Sequence, residues 1–371
     1  MHYCVFGGQY GSEGKGCVSE FLMHQNDRVR WTVIGENAPN SGHTCSAGSV
    51  RSIPAASFFA DRVILGPDAV IEPELLGEDI RKVQEYRAKH GPPLPGGRLE
   101  VHIHPHAAVL QHWHKAQEAE CESIKAISST GSGSGKAREA KYILRQPYAV
   151  ISREDHLWKP QYWKDLDVRV QELFAWPTLV RQALATACIF ECSQGFMLDT
   201  NFGLFPHVTS RSTSPRVAIE RNGFGAGQWQ YCATLRTFPI RTGGPSGPTG
   251  GKEVTCADLG VPDEIATVTK RTRRIFEFSI DDFEYMLALV RPDHLFFTHA
   301  DYLVSQHRKT CRETNVPDAY SDNSCFYSWY IDNAHSYVNQ RGPTIGRQAT
   351  FSRPSDIWFS FNPAQFIYAE V

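Results

Sequence analysis

The chain has 371 residues, 41% of them hydrophobic and 21% charged, with a formal net charge of −2. That length allows one large core or two modest ones, and the near-neutral charge excludes a general nucleic-acid binder, which is usually basic. No apolar run reaches the roughly 18 residues a membrane span needs, and no charged-then-apolar leader opens the chain, so no membrane partner and no signal peptide are expected. The ten cysteines are scattered without a Cys-x-x-Cys; Cys188 and Cys192 are the closest pair. Reduced, buried thiols are expected.

Tyr3–Phe6 reads as a short apolar strand running into Gly7-Gly8-Gln9-Tyr10-Gly11-Ser12-Glu13-Gly14-Lys15-Gly16, where six of ten residues are Gly or Lys. Glycine lets backbone N–H groups turn inward and approach an anion. A helix starting at the end of the loop adds its positive dipole end, and Lys15 adds a point charge. The loop is a phosphate cradle, though not a regular Walker A: five residues separate Gly8 from Gly14, and Gly16 stands where Ser or Thr would follow the lysine. Downstream, Asn40-Ser41-Gly42-His43-Thr44 is a second polar, glycine-containing loop. Arg62–Leu65 is a strand, and Pro73–His90 has helical spacing with Leu75, Leu76, Ile80, Val83 and Tyr86 on one side. This alternation predicts an α/β fold, a mostly parallel central sheet flanked by helices, with sites at strand C-terminal ends. No repeat or long linker is present, so residues 1–371 are expected to form a single domain.

The alternating His102, His104 and His106, with His112 and His114 beyond, invite a metal site; partly solvated strand histidines are the commoner outcome. Ser128–Lys136 is linker-like in composition, yet it precedes the basic run Lys136–Arg145, where a second anion site would fit. Residues 186–190 read as another strand, followed by Glu191–Gly195 and later by Thr209-Ser210. Thr242–Gly251 reads as a mobile loop, and Lys270, Arg271, Arg273 and Arg274 put four cations into five residues.

Together these blocks resemble the adenylosuccinate synthetase family, and its phage branch in particular. The resemblance rests on Gly-Ser-Glu-Gly-Lys-Gly, Asn40–Thr44, the Thr130-Gly131 loop, Gln194-Gly195 with matching spacing to Thr209, the Arg271/Arg273 pair, and Thr298–Asp301. It implies an adenylosuccinate-synthetase-like, P-loop-related fold and a carbon–nitrogen ligase acting as a homodimer. In the family an Asp serving as catalytic base occupies the position of Ser12, and Ala that of Ser41. The phage branch makes a 2-aminoadenine DNA precursor from dGMP, which implies dGMP, L-aspartate and ATP or dATP as substrates, and the host cytoplasm as location.

By the same resemblance, Glu13, Gly14, Lys15, Gly16, Gly42, His43 and Thr44 hold the triphosphate, with Arg273, His299 and Asp301 completing its site. Mg2+ is the implied cofactor, with Ser12 and Gly42 as protein ligands. Asn40, Ser129, Thr130, Gln194 and Thr209 would hold the acceptor nucleotide. Arg145 would reach a phosphate of the neighbouring subunit, although strict spacing falls on Leu144. Thr269 and Arg271 would clamp the carboxylates of aspartate, a task suited to the planar guanidinium fork. Lys270 replaces a family glycine, His299 a lysine that reads guanine, and Thr344–Gly346 matches the last base-contact loop faintly.

The chemistry expected is phosphorylation of purine O6 followed by displacement of phosphate by the amine of aspartate, with Ser12, His43 and Gln194 at the reacting centre. Serine is no base near neutral pH without help. It does supply room, and a hydroxyl that accepts from an exocyclic 2-amino group. Two alternatives stay open at this point: an ordinary adenylosuccinate synthetase using IMP and GTP, and an inactive nucleotide-binding protein.

Overall fold

A computed structural model describes residues 1–25, 29–225, 227, 229–266, 269–303, 305, 356–362 and 365–369. Ten strands form the main sheet: β1 (His2–Gly7), β2 (Trp31–Gly35), β3 (Arg62–Leu65), β4 (Glu100–Ile103), β5 (Asp167–Val170), β6 (Ala187–Gly195), β7 (Gln230–Arg236), β8 (His294–Thr298), β9 (Asp356–Asn362) and β10 (Gln365–Ala369). Their order across the sheet is β10-β9-β8-β7-β1-β6-β2-β3-β4-β5. Every neighbouring pair is parallel except β9 with β10, so the predicted mostly parallel sheet is borne out.

A parallel strand is covered on both faces and reads as a near-continuous apolar run. All five residues of β2 are buried, and Cys4, Val5 and Phe6 of β1 are at most 1% exposed. One face carries the core of Phe190, Phe196, Trp229 and Met286; Val33, Ile189 and Phe296 point to the opposite side, against Val18 and Leu22 of helix α1 (Lys15–His24). Helix α2 (Pro73–His90) has the predicted bounds and buries Leu76, Ile80 and Val83. Pro73 at its start lacks the N–H that would be orphaned there anyway.

The strand expected at 186–190 continues to Gly195, because Glu191 and Ser193 are buried polar residues rather than a turn. Polar composition hid the second half of the strand. His102 and His104 are both buried: His102 Nδ1 meets Gln171 Nε2 at 2.8 Å, and His104 packs edge-on against Trp176. Among the described residues no group of three or more His, Cys, Asp or Glu is placed to hold a metal, no helix is long and apolar enough to cross a membrane, and eight cysteines are free thiols.

Candidate active site

The loops after β8, β7, β1, β6 and β2, five strands adjacent in the sheet, open at one edge. Two cavities lie there. One, of about 200 Å3, is lined by Asn40, Ser128–Thr130, Gln194, Thr209 and Arg241 among others. The second, of about 760 Å3, is lined by Gly14, Gly16, Thr44, Arg236, Arg273, His299 and Asp301 among others. Ser12, Lys15, Gly42 and His43 line both. Residues expected to hold an acceptor nucleotide and those expected to hold a triphosphate therefore occupy separate cavities that meet at the residues expected to act in between.

The Gly-rich loop is shaped from below. The Glu13 carboxylate is fully buried and accepts from Gln9 N at 3.2 Å, Gly11 N at 2.7 Å and Lys15 Nζ at 2.8 Å. The side chain of Glu13 is thus spent inside the loop, leaving only its backbone for a ligand. Ser12, at φ 58, is exposed in the left-handed region between Gly11 at φ 99 and Gly14 at φ 87. A non-glycine residue there costs roughly 1 kcal/mol, and it sets the serine hydroxyl where the cavities join. A side chain at Gly16 would collide with the Thr44 carbonyl, which is why the Walker serine or threonine has no place in this loop.

His43 is 3% exposed, in a short hairpin strand paired to Gly48–Val50, and its Nδ1 lies 2.5 Å from Glu191 Oε1. Burial raises the Glu191 pKa, but the bond from His43, its charge and the N–H of Ala55 outweigh that and hold the carboxyl below its ordinary value. A buried carboxylate on Nδ1 fixes the orientation of the ring, leaving Nε2 for a ligand.

On the larger cavity, Glu264 gathers Arg236, Arg273 (Nη1 at 2.9 Å) and the Tyr302 hydroxyl (2.7 Å). Arg236 is only 1% exposed and also reaches the carbonyl of Phe238 at 3.0 Å. His299 Nδ1 lies 2.9 Å from Thr298 Oγ1; burial, then the charge of Arg236, pushes the His299 pKa down to about 3, so the ring is neutral.

In the smaller cavity, the Ser/Gly loop after residue 127 is tied down: Glu118 accepts from Gly133 N at 2.6 Å and Gly135 N at 2.8 Å, and Thr130 Oγ1 meets Ser132 Oγ at 3.1 Å. Asn40 Oδ1 is buried without a protein partner. Arg241 lies over the Tyr10 ring at 4.7 Å and donates to the carbonyls of Pro248 and His207 at 2.8 and 2.7 Å. Arg271 is exposed and lines neither cavity; its Nη1 lies beside Gly244, across from Ser128. Thr269 keeps a buried hydroxyl without a partner. Arg145, exposed at φ 50, stands outside both cavities, and Thr344–Gly346 lies outside the described residues.

Sequence reading missed Arg236, Arg241, Glu264 and the side-chain role of Glu191. Arg236 had one signal, a lone arginine closing an apolar strand. Glu264 had none.

A strand–loop–helix anion cradle joined to a second cavity is the arrangement of a nucleotide-binding α/β protein. The family model for adenylosuccinate synthetase matches residues 4–147 and 159–325, and the chain belongs to that family of ligases. It is 30% identical over 308 residues to the N6-succino-2-amino-2'-deoxyadenylate synthase of Vibrio phage phiVC8, covering 80% of this chain and 84% of the relative. It is 27% identical over 291 residues to the adenylosuccinate synthetase of Methanocaldococcus jannaschii, covering 76% of each. In fold it matches the cyanophage S-2L succinoaminodeoxyadenylate synthetase (PurZ), solved with dGMP and with dATP as energy donor: TM-score 0.74, 24% identity, 99% of this chain and 95% of that one.

Proposed function

We propose that this enzyme condenses dGMP with L-aspartate, driven by ATP or dATP, to give N6-succino-2-amino-2'-deoxyadenylate, a nucleoside diphosphate and phosphate. The observation that carries the reading is the exposed Ser12 hydroxyl at the junction of the two cavities, at the position where the family has its aspartate. A carboxylate beside purine N1 would crowd a 2-amino group; a hydroxyl makes room and accepts a hydrogen bond from it. The phage relatives and the dGMP- and dATP-bound neighbour support the same substrates.

In the proposed reaction, purine O6 takes the γ-phosphoryl group as the N1 proton is lost to water, and the nucleoside diphosphate leaves. The amine of aspartate then attacks C6 and expels phosphate. His43, held by Glu191, donates to the transferring group, since charge stabilisation is the main demand of phosphoryl transfer. Lys15 and the loop N–H groups hold the triphosphate with Thr44, Arg273, His299 and Asp301, while Gln194 positions the base near O6. Asn40, Ser129, Thr130 and Thr209 hold the acceptor's 5′-phosphate side, and Arg145 reaches it from the second subunit of a homodimer.

The donors at the junction suit Mg2+ held mainly by nucleotide phosphates: the Ser12 hydroxyl and the Gly42 carbonyl are hard oxygen ligands. When bound, the ion would neutralise phosphate charge. The reading places residues 1–371 in one domain acting in the cytoplasm of a phage-infected host. Product formation from dGMP, aspartate and dATP, followed by mass spectrometry, tests it. A succinylated 2-aminopurine nucleotide is expected; its absence under conditions where IMP is consumed would overturn the assignment.

A further inference from the structure

Among the described residues, the lining of the smaller cavity includes two fixed cations, Lys15 and Arg241, and no carboxylate. Lys15 is already paired with Glu13 at 2.8 Å. Arg241 is 4% exposed and makes no ion pair among the described residues, only the two carbonyl bonds and the Tyr10 contact given above. Asp282, on the far side of Tyr10, is engaged by the Tyr10 hydroxyl at 2.7 Å and the Gly250 N–H at 3.0 Å. A buried cation that lines a cavity without a carboxylate is stabilised by an anion entering that cavity.

His207 stands beside Arg241. Its carbonyl accepts from Arg241 at 2.7 Å, and its ring packs on Gly247, where a Cβ would overlap it. The residue is partly exposed and lines the smaller cavity, no described residue hydrogen-bonds its ring, and Nδ1 is buried without a partner. His43 and His299, the other imidazoles lining the two cavities, each engage a neighbour through Nδ1. Burial, then the charges of Arg241 and Arg274, lowers the His207 pKa, so the ring is neutral and has one N–H to donate. The anion could be the acceptor's phosphate or a carboxylate of aspartate. Asn40, Ser129, Thr130 and Thr209 line the same cavity as His207, whereas Arg271 lines neither cavity. The phosphate is the better match.

We infer that His207 is a further acceptor-binding residue, its ring donating a hydrogen bond to the 5′-phosphate of the acceptor nucleotide beside the charge of Arg241. The inference deepens the acceptor site of the reading above and rests on it.

Three variants test it. His207→Phe keeps a flat ring on Gly247 and removes the N–H, His207→Gln keeps an N–H donor, and His207→Glu places a negative charge in the same spot. Calorimetric titration of each with dGMP, and with dATP as control, reads the result, alongside the KM for aspartate and a melting curve. His207→Phe should raise the Kd for dGMP roughly tenfold or more, the range for a lost hydrogen bond to a charged group. His207→Gln should recover most of that loss, and His207→Glu should bind dGMP more weakly than His207→Phe, because like charges repel. The Kd for dATP and the KM for aspartate should hold. An unchanged dGMP Kd in a folded His207→Phe overturns the inference and leaves the reading intact; should that variant not fold, the comparison of His207→Gln with His207→Glu decides. A glutamate variant that binds as well as the phenylalanine or glutamine one overturns it too, assigning the contact to an uncharged part of the nucleotide, and so does an effect confined to aspartate. If the parent does not bind dGMP at all, the reading falls and the inference with it.

Discussion

The two cavities handle their polar groups in opposite ways. On the triphosphate side, the buried Arg236, together with Arg273 and Tyr302, is already satisfied by one internal carboxylate, Glu264. In the smaller cavity, Asn40 Oδ1 and Ser128 Oγ are buried without protein partners. An unmade hydrogen bond of that kind costs about 1–3 kcal/mol. The larger cavity, the proposed donor side, thus holds its cations in position without a ligand, at low cost in stability. The smaller one, the proposed acceptor side, leaves groups unsatisfied, and in the proposed reading these meet the substrates. The difference teaches where stability and binding are coupled: mutations on the donor side should unfold, and those on the acceptor side should mainly weaken binding.

His43 stands at the join, and its loss should show the largest effect. His43→Ala is expected to lower kcat by about 10²–10³, the scale for removing one pre-positioned donor, with each nucleotide KM within a few-fold of the parent; single-turnover phosphate release checks it. A variant within tenfold of the parent would remove His43 from the chemistry.

Glu264→Gln should break the donor side. It strips Arg236 of its charge partner at a buried site, for an expected loss of about 3–5 kcal/mol in unfolding free energy, measurable by urea denaturation. Burial raises the Glu264 pKa, but the charge of Arg236, the bonds from Arg236 and Tyr302 and the charge of Arg273 hold it near about 2. A depressed carboxyl contributes fully above its unfolded pKa, about 4.3, and loses that contribution as pH falls through about 2. The parent should therefore lose stability over that acid window, and the difference between parent and variant should shrink across it. A variant as stable as the parent at pH 7 would contradict the division between the two sides.

A smaller effect concerns donor choice. A neutral His299 can accept from the N6 amine of adenine, whereas a cation would favour guanine O6. ATP or dATP should then serve at least as well as GTP, which steady-state rates with the three donors at fixed dGMP and aspartate check. A strong GTP preference contradicts this role. Smallest is Arg145→Ala, expected to raise the dGMP KM severalfold in a dimer; sedimentation showing a fully active monomer would remove its role across subunits.

Much of this was legible from the sequence, unevenly. The β1–loop–α1 cradle and α2 were readable because their patterns are local: an apolar run ending in glycines, and a 3.6-residue spacing closed by Pro73 and Gly91. His43, Gln194 and Thr209 were readable through spacing between motifs. Glu264 was not, because its partners Arg236 and Arg273 belong to separate segments and meet only in the fold. Glu13 looked like part of a phosphate-binding motif, and only the buried geometry shows its carboxylate serving the loop itself.

The central claim is that Ser12 adapts the family's site to a 2-aminopurine. Initial rates with dGMP and with IMP, measured side by side at saturating aspartate and dATP and repeated with GTP as donor, test it most directly. The account predicts turnover of dGMP, with kcat/KM at least tenfold above that for IMP under either donor. Turnover of IMP alone would contradict it, and turnover of neither would return the protein to a nucleotide binder.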